Sequence, residues 1–248
     1  MCMYNIVKKE LINLKNEPKA EILQWFFKTW KWQYGESDVF LGIAMPQQRE
    51  IAKKYFKEIS FEDIKRLLDS KYHEFRMTAL LFLVYKYKNS EKTFKTSSIS
   101  PLRGTEKTQK DIFDFYIKNL EYVNNWDLVD VTCPKIIWAY LLDKEKDILY
   151  RFVKYDNMWI QRIAIVSTRI FIRNGKFDDT IKLAKILLNH KHDLINKATW
   201  WMLREVGKKD KKILEDFLTK YSKNMPRTML RYSIEKFNLE ERKFWMGK

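Results

Sequence analysis

Glycine and proline are scarce, with 6 Gly and 5 Pro in 248 residues. Such a chain makes few sharp turns and favours long helices. Cysteine is scarcer still. Cys2 and Cys133 cannot build a disulfide framework, and neither has metal-ligand spacing. His73, His190 and His192 carry no zinc signature, so neither a metal nor a cofactor is expected. No run of about 18 apolar residues occurs, which argues against a membrane span. The N-terminal MCMYNIVKKELINLKN is amphipathic and charged, without the apolar region of a signal peptide. These absences lead to the expectation of a cytoplasmic protein, taken as a monomer.

Acidic residues are outnumbered, 32 Asp+Glu against 48 Lys+Arg, for a net charge of +16. That excess suits a polyanionic partner, nucleic acid before membrane. A general lysine bias is the alternative source. Aromatics are plentiful, with 9 Trp, 13 Tyr and 16 Phe. Most should be core, and some could be stacking surfaces.

Apolar residues keep helical spacing along nearly the whole chain, and strand-like alternation is weak. The pattern predicts helices over 4–15 and 18–33, the second opened by Pro18. The density of Trp25, Phe26, Phe27, Trp30 and Trp32 suggests burial on more than one side of that second helix. Further helices are expected from Pro46, after the Ser60 cap, and over 73–87. Residues 88–107 are rich in Ser, Thr and Lys, lack apolar periodicity and contain Pro101 and Gly104. They read as an inserted basic loop within a single domain spanning 1–248. From 108 onward helices recur, one of them over 158–173, with Pro134 expected to open one at 134–143 after a short one at 126–133.

An internal repeat organises the later helices. Segments starting at Trp126, Arg162, Lys197 and Arg227 share a register of 30–36 residues, and Arg76 fits it upstream. A helix-pair period in the thirties predicts an all-α fold, an α-solenoid of HEAT-like repeats. Such repeats stack into a curved array. Its concave groove would present Trp126, Asp130, Arg162, Lys197, Trp201, Arg227 and Arg231, a basic row with aromatic members and one acid. For Arg162 and Lys197 the competing roles are a solvated face or a salt bridge between repeats. Trp201 could instead be core, since Trp200 competes for the outward position. Arg204 could pair with Glu205 or with a neighbouring repeat.

Trp126 and Asp130 lie four residues apart, hence on one helix face. A carboxylate beside an aromatic face can stabilise a cation. Equally, Trp126 could be core and Asp130 a solvated or capping group. Asp127 is about 100° further round the helix and should point away, into a cap or a salt bridge.

Five segments carry a family resemblance. They are Phe-Leu-Gly-Ile-x-x-Pro-x-x-Arg at 40–49, Glu-Phe-Arg-x-x-Ala-Leu at 74–80 and Trp-Asp-x-Val-Asp at 126–130, followed by Asp-Asn-x-Trp-x-Gln-Arg at 156–162 and Lys-Ala-x-x-Trp-x-Leu-Arg-Glu at 197–205. In this order the chain resembles the HEAT-repeat alkylpurine DNA glycosylases of the AlkD type, the DNA alkylation repair enzymes. The resemblance implies excision of cationic N3- or N7-alkylated purines from double-stranded DNA. It implies Asp130 as catalytic aspartate, Trp126 and Trp201 as rings against the lesion's deoxyribose, and Arg162 on the DNA backbone. Lys197, Arg204, Arg227, Arg231 and Arg49 complete the expected DNA-binding set. The 88–107 stretch and the bulk of Trp200 depart from the family pattern. A non-catalytic HEAT-like module that binds nucleic acid or protein is the alternative reading.

Overall fold

The computed structural model describes residues 2–96 and 102–247. Among these residues the fold is all-helical and no strand forms. Val39 and Tyr72 meet in an isolated parallel bridge. The chain divides into two compact units, Met1–Ile136 and Ile137–Lys248.

The first unit contains α1 (Met3–Asn13), α2 (Glu17–Phe26), α3 (Met45–Tyr55), α4 (Phe61–Leu68), α5 (His73–Thr96), α6 (Leu102–Lys118) and the start of α7 (Trp126–Leu141). Its centre is α5, which packs against α1, α3, α4 and α6. The run from Phe75 to Val84 is buried throughout, as befits a helix enclosed by others. Side-chain caps set several starts: Asn16 accepts from the Lys19 N–H and Ser60 from the Asp63 N–H, each at 3.0 Å.

The second unit continues with α8 (Asp147–Phe152), α9 (Met158–Val166), α10 (Arg169–Arg173), α11 (Asp178–Ile186), α12 (Asp193–Lys209), α13 (Lys211–Tyr221), α14 (Arg227–Ser233) and α15 (Leu239–Met246). Here α12 is central, packed on α9, α10, α11, α13 and α14. It buries Ile195, Ala198, Thr199, Met202, Leu203 and Val206, an unbroken helical stripe. The starts of α7, α9, α12 and α14 at 126, 158, 193 and 227 keep the repeat register.

Four sequence expectations are corrected. The stretch 88–107 is not one long loop: α5 runs on to Thr96 and α6 begins at Leu102, with 97–101 outside the described residues. Residues 88–96 extend the helix without apolar spacing, because none of them is Gly or Pro. Pro134 opens no helix but lies inside α7. The helix expected over 158–173 is divided, α9 ending at Val166 and α10 beginning at Arg169. The helix expected over 18–33 ends at Phe26, and Trp25, Phe26, Trp30 and Trp32 are exposed.

One tertiary tie positions the entry to α3. The buried Glu74 carboxylate accepts the backbone N–H groups of Leu41 (2.9 Å), Gly42 (2.8 Å) and Ile43 (3.2 Å). Gly42 has φ +80, and a Cβ there would lie 2.1 Å from the Asn16 carbonyl oxygen. Only glycine fits both the backbone conformation and the space.

Candidate active site

Asn125 precedes α7 and joins two systems. Its side-chain oxygen accepts the Trp126 backbone N–H at 2.8 Å, and its Nδ2 donates to Asp38 at 3.0 Å. Asp38 is buried. It also binds the Nη2 of Arg76 and lies 3.0 Å from Nδ1 of His73. The other ring nitrogen of His73 meets Asp127 at 2.8 Å. Asp127 is thus committed to an ion pair, the structural role its helix position suggested.

An aromatic ladder runs beside these polar contacts. Trp126 stacks on Phe27 at 5.1 Å, Phe27 on Phe40 at 4.9 Å, and Phe40 on His73 at 4.5 Å between centroids. Phe26 meets Trp126 edge-on at 6.0 Å. The indole is therefore held in place while part of it remains accessible.

Asp130 lies one turn along α7 and is half-buried. Burial above all pushes the enclosed Tyr116 phenol up, with Cys133 and then the Asp130 charge adding to it, and that phenol bonds Thr132 at 2.8 Å. Pro134 has no N–H to give to the carbonyl of residue 130, four positions back. The carboxylate therefore lies where the helical hydrogen-bond ladder is interrupted.

The first unit also carries a group of cations around Lys135. Arg49 on α3 is half-buried, and Lys88 is exposed. Partial desolvation, together with Arg49 and Lys88, pushes the Lys135 ammonium down. A cation repelled by two others would gain from an anion beside it.

In the second unit the predicted residues take different roles. Trp201 lies under the Arg169 guanidinium, 5.0 Å from ring centroid to Cζ. Trp200 is the more structural neighbour. It packs on the core of α12–α14, stacks on Tyr232 at 4.8 Å, and is covered by Arg204. Arg204 pairs with Glu235, while Glu205 takes Lys208 at 2.6 Å. Lys197 is exposed and pairs with Asp193 at 2.8 Å. Arg227 and Arg231 are both exposed, the latter over the Tyr232 ring. Arg162 departs most from expectation. It is only 6% exposed, and its Nη1 donates to the Leu194 carbonyl at 2.6 Å. The helix register brings it inward as a tie between α9 and α12.

A family model described as DNA alkylation repair enzyme matches residues 7–237. The chain belongs to that family. Its fold is also similar to a solved structure, the "Predicted DNA alkylation repair enzyme from Enterococcus faecalis". The TM-score is 0.67 at 16% identity, over 91% of this chain and 97% of that one. No curated protein matches it in sequence.

Asp38 and His73 are the positioning residues that the sequence reading of this family member missed. Glu74 was in view only as a letter of a motif, and Arg76 as that and as an upstream member of the repeat register. Among the described residues no group of three or more His, Cys, Asp or Glu could hold a metal ion, and no helix is long and apolar enough to cross a membrane.

The His73 clamp makes stability depend on pH. Burial opposes the imidazolium, but Asp127 and then Asp38 outweigh it and hold His73 up at about 9. An unfolded histidine titrates near 6.5. The clamp therefore contributes fully below about pH 6.5 and fades as pH rises through 9. Asp38 is opposed by burial and lowered by His73 and Arg76, so its contribution is lost only under strong acid. Urea midpoints should fall between pH 6.5 and 9.5, by up to about 3 kcal/mol in stability. His73→Gln should flatten that decline.

Proposed function

We propose that this family member is a DNA glycosylase that excises cationic N3- or N7-alkylated purines from double-stranded DNA. The observation that carries the reading is Asp130 one turn from a Trp126 whose ring is stacked and anchored, in a chain of the DNA alkylation repair family. An alkylated purine of this kind is already cationic and leaves as a neutral base, so it needs no general acid. One carboxylate suffices to stabilise the positive charge growing on the sugar, or to orient and deprotonate water. The Trp126 face supports the same developing cation.

Arg49, Lys88 and Lys135 are suited to neutralise phosphates, and Arg227, Arg231 and Lys197 offer further exposed charge. Such contacts bind without reading sequence. Trp201 and Arg204 enter the DNA-facing set through the family motif. Arg162, buried against Leu194, supports α12 in this reading and does not itself grip phosphate.

The test is incubation with methylated duplex DNA, followed by identification of released bases. Free 3-methyladenine or 7-methylguanine is the expected product. Duplex binding without base release would instead favour the non-catalytic module.

A further inference from the structure

Four large aromatic side chains at the end of α2 and just beyond it face solvent. Trp25 is 74% exposed, Phe26 55%, Trp30 47% and Trp32 83%, with Ile22 beside them at 66%. Five exposed apolar residues thus fall within eleven positions, 22–32, and exposed apolar surface of this kind marks contact surfaces.

The segment that carries them is built and held. Trp32 has φ +68, a conformation rarely adopted by a bulky residue. Its N–H donates to Glu36 Oε2 at 2.8 Å, which supports the turn. The Tyr34 hydroxyl donates to the Phe26 carbonyl at 3.3 Å. Gly35 closes against the Phe27 carbonyl so tightly that a Cβ would lie 2.2 Å from its oxygen. Strain sustained by surrounding contacts at an exposed indole is a feature of functional surfaces.

Position and charge favour one occupant. The patch is continuous with Trp126, through Phe26 edge-on and Phe27 face-on. Lysines interleave with the rings, and Lys31 Nζ lies 5.0 Å from the Trp32 ring centroid. Aromatic faces alternating with cations suit unstacked nucleobases beside phosphates, with little sequence preference. We infer that Trp25, Phe26, Trp30 and Trp32 form a stacking surface for a base that loses its partner when a lesion-bearing duplex is bound at Trp126. This rests on the proposed reading only in that the chain engages damaged duplex DNA.

The test compares wild type with a Trp30→Ala/Trp32→Gly double variant, glycine being compatible with the backbone at 32. Circular dichroism checks that the variant folds. Two duplexes serve as probes. One carries a tetrahydrofuran abasic analogue opposite 2-aminopurine; the other is intact, with 2-aminopurine paired to thymine. Wild type should quench 2-aminopurine opposite the abasic analogue. The variant should bind that duplex at least about 10-fold more weakly and lose the quenching. Its affinity for the intact duplex should change less than about 2-fold, with an unchanged salt slope, because no phosphate contact is removed. Equal binding and quenching by variant and wild type would overturn the inference. So would a variant unchanged on DNA but altered in self-association or in binding to anionic vesicles. A wild type that stacks the base yet releases no alkylated purine would sink the glycosylase reading and leave this surface standing.

Discussion

Asp130→Asn should fold and bind duplex DNA like the parent, and lose about 10²–10³ in single-turnover excision. The side chains are nearly isosteric, so packing along α7 is preserved. What disappears is a negative charge whose attraction grows as the sugar becomes cationic. A term that grows toward the transition state lowers the rate of bond cleavage and leaves substrate affinity alone. Loss of one anion from a basic surface should, if anything, tighten duplex binding slightly. Asp127→Asn is the informative contrast. Asp127 lies 2.8 Å from Nε2 of the buried His73, so its neutralisation should lower the melting temperature. If Asp127→Asn folds stably and abolishes excision while Asp130→Asn excises normally, the catalytic assignment is wrong.

Asp38→Asn should be the most damaging single change to the first unit, costing about 3–5 kcal/mol. Asp38 is buried and receives His73, Arg76 and Asn125 together. The amide leaves two buried cations facing a neutral group. Against a typical total stability of about 5–15 kcal/mol, that loss is a large share. The imidazole can escape by releasing its proton, whereas Arg76 cannot. The gap between variant and wild type should therefore narrow as pH rises from 7 to 9.5, when His73 is neutral in both. Urea unfolding at the two pH values measures this. A gap that stays constant would mean that His73 carries no charge in the folded protein.

The fold class was legible because few residues interrupt helical spacing and none of the segments alternates cleanly. The register was legible as well, and the starts of α7, α9, α12 and α14 follow it. Side-chain direction was harder to read. Arg162 satisfies the register yet points inward, because the Leu194 carbonyl offers a buried partner that no local pattern announces. Trp200 and Trp201 differ by one helix step, and the Tyr232 face decides between them. At α2, aromatic density was read as burial, although density without a period of 3.6 says little about direction. The frame around His73 was invisible for a different reason. It joins residues 38, 73, 76, 125 and 127, and the Asn125–Asp38 bond alone spans 87 positions. No spacing rule reaches that far.

Glu74 and Gly42 limit how this part of the chain can diverge. Glutamine at 74 would keep one acceptor oxygen but lose the charge and set its amide N–H2 against the Leu41 N–H, and aspartate is one methylene too short to reach the three backbone donors. Any side chain at 42 meets the Asn16 backbone. Neither change can be compensated by altering the other residue, since one supplies an acceptor and the other supplies space. Stepwise drift at these two positions therefore has no neutral intermediate. A descendant could replace this crossing only by rebuilding both segments at once, or by losing the α2–α3 connection altogether.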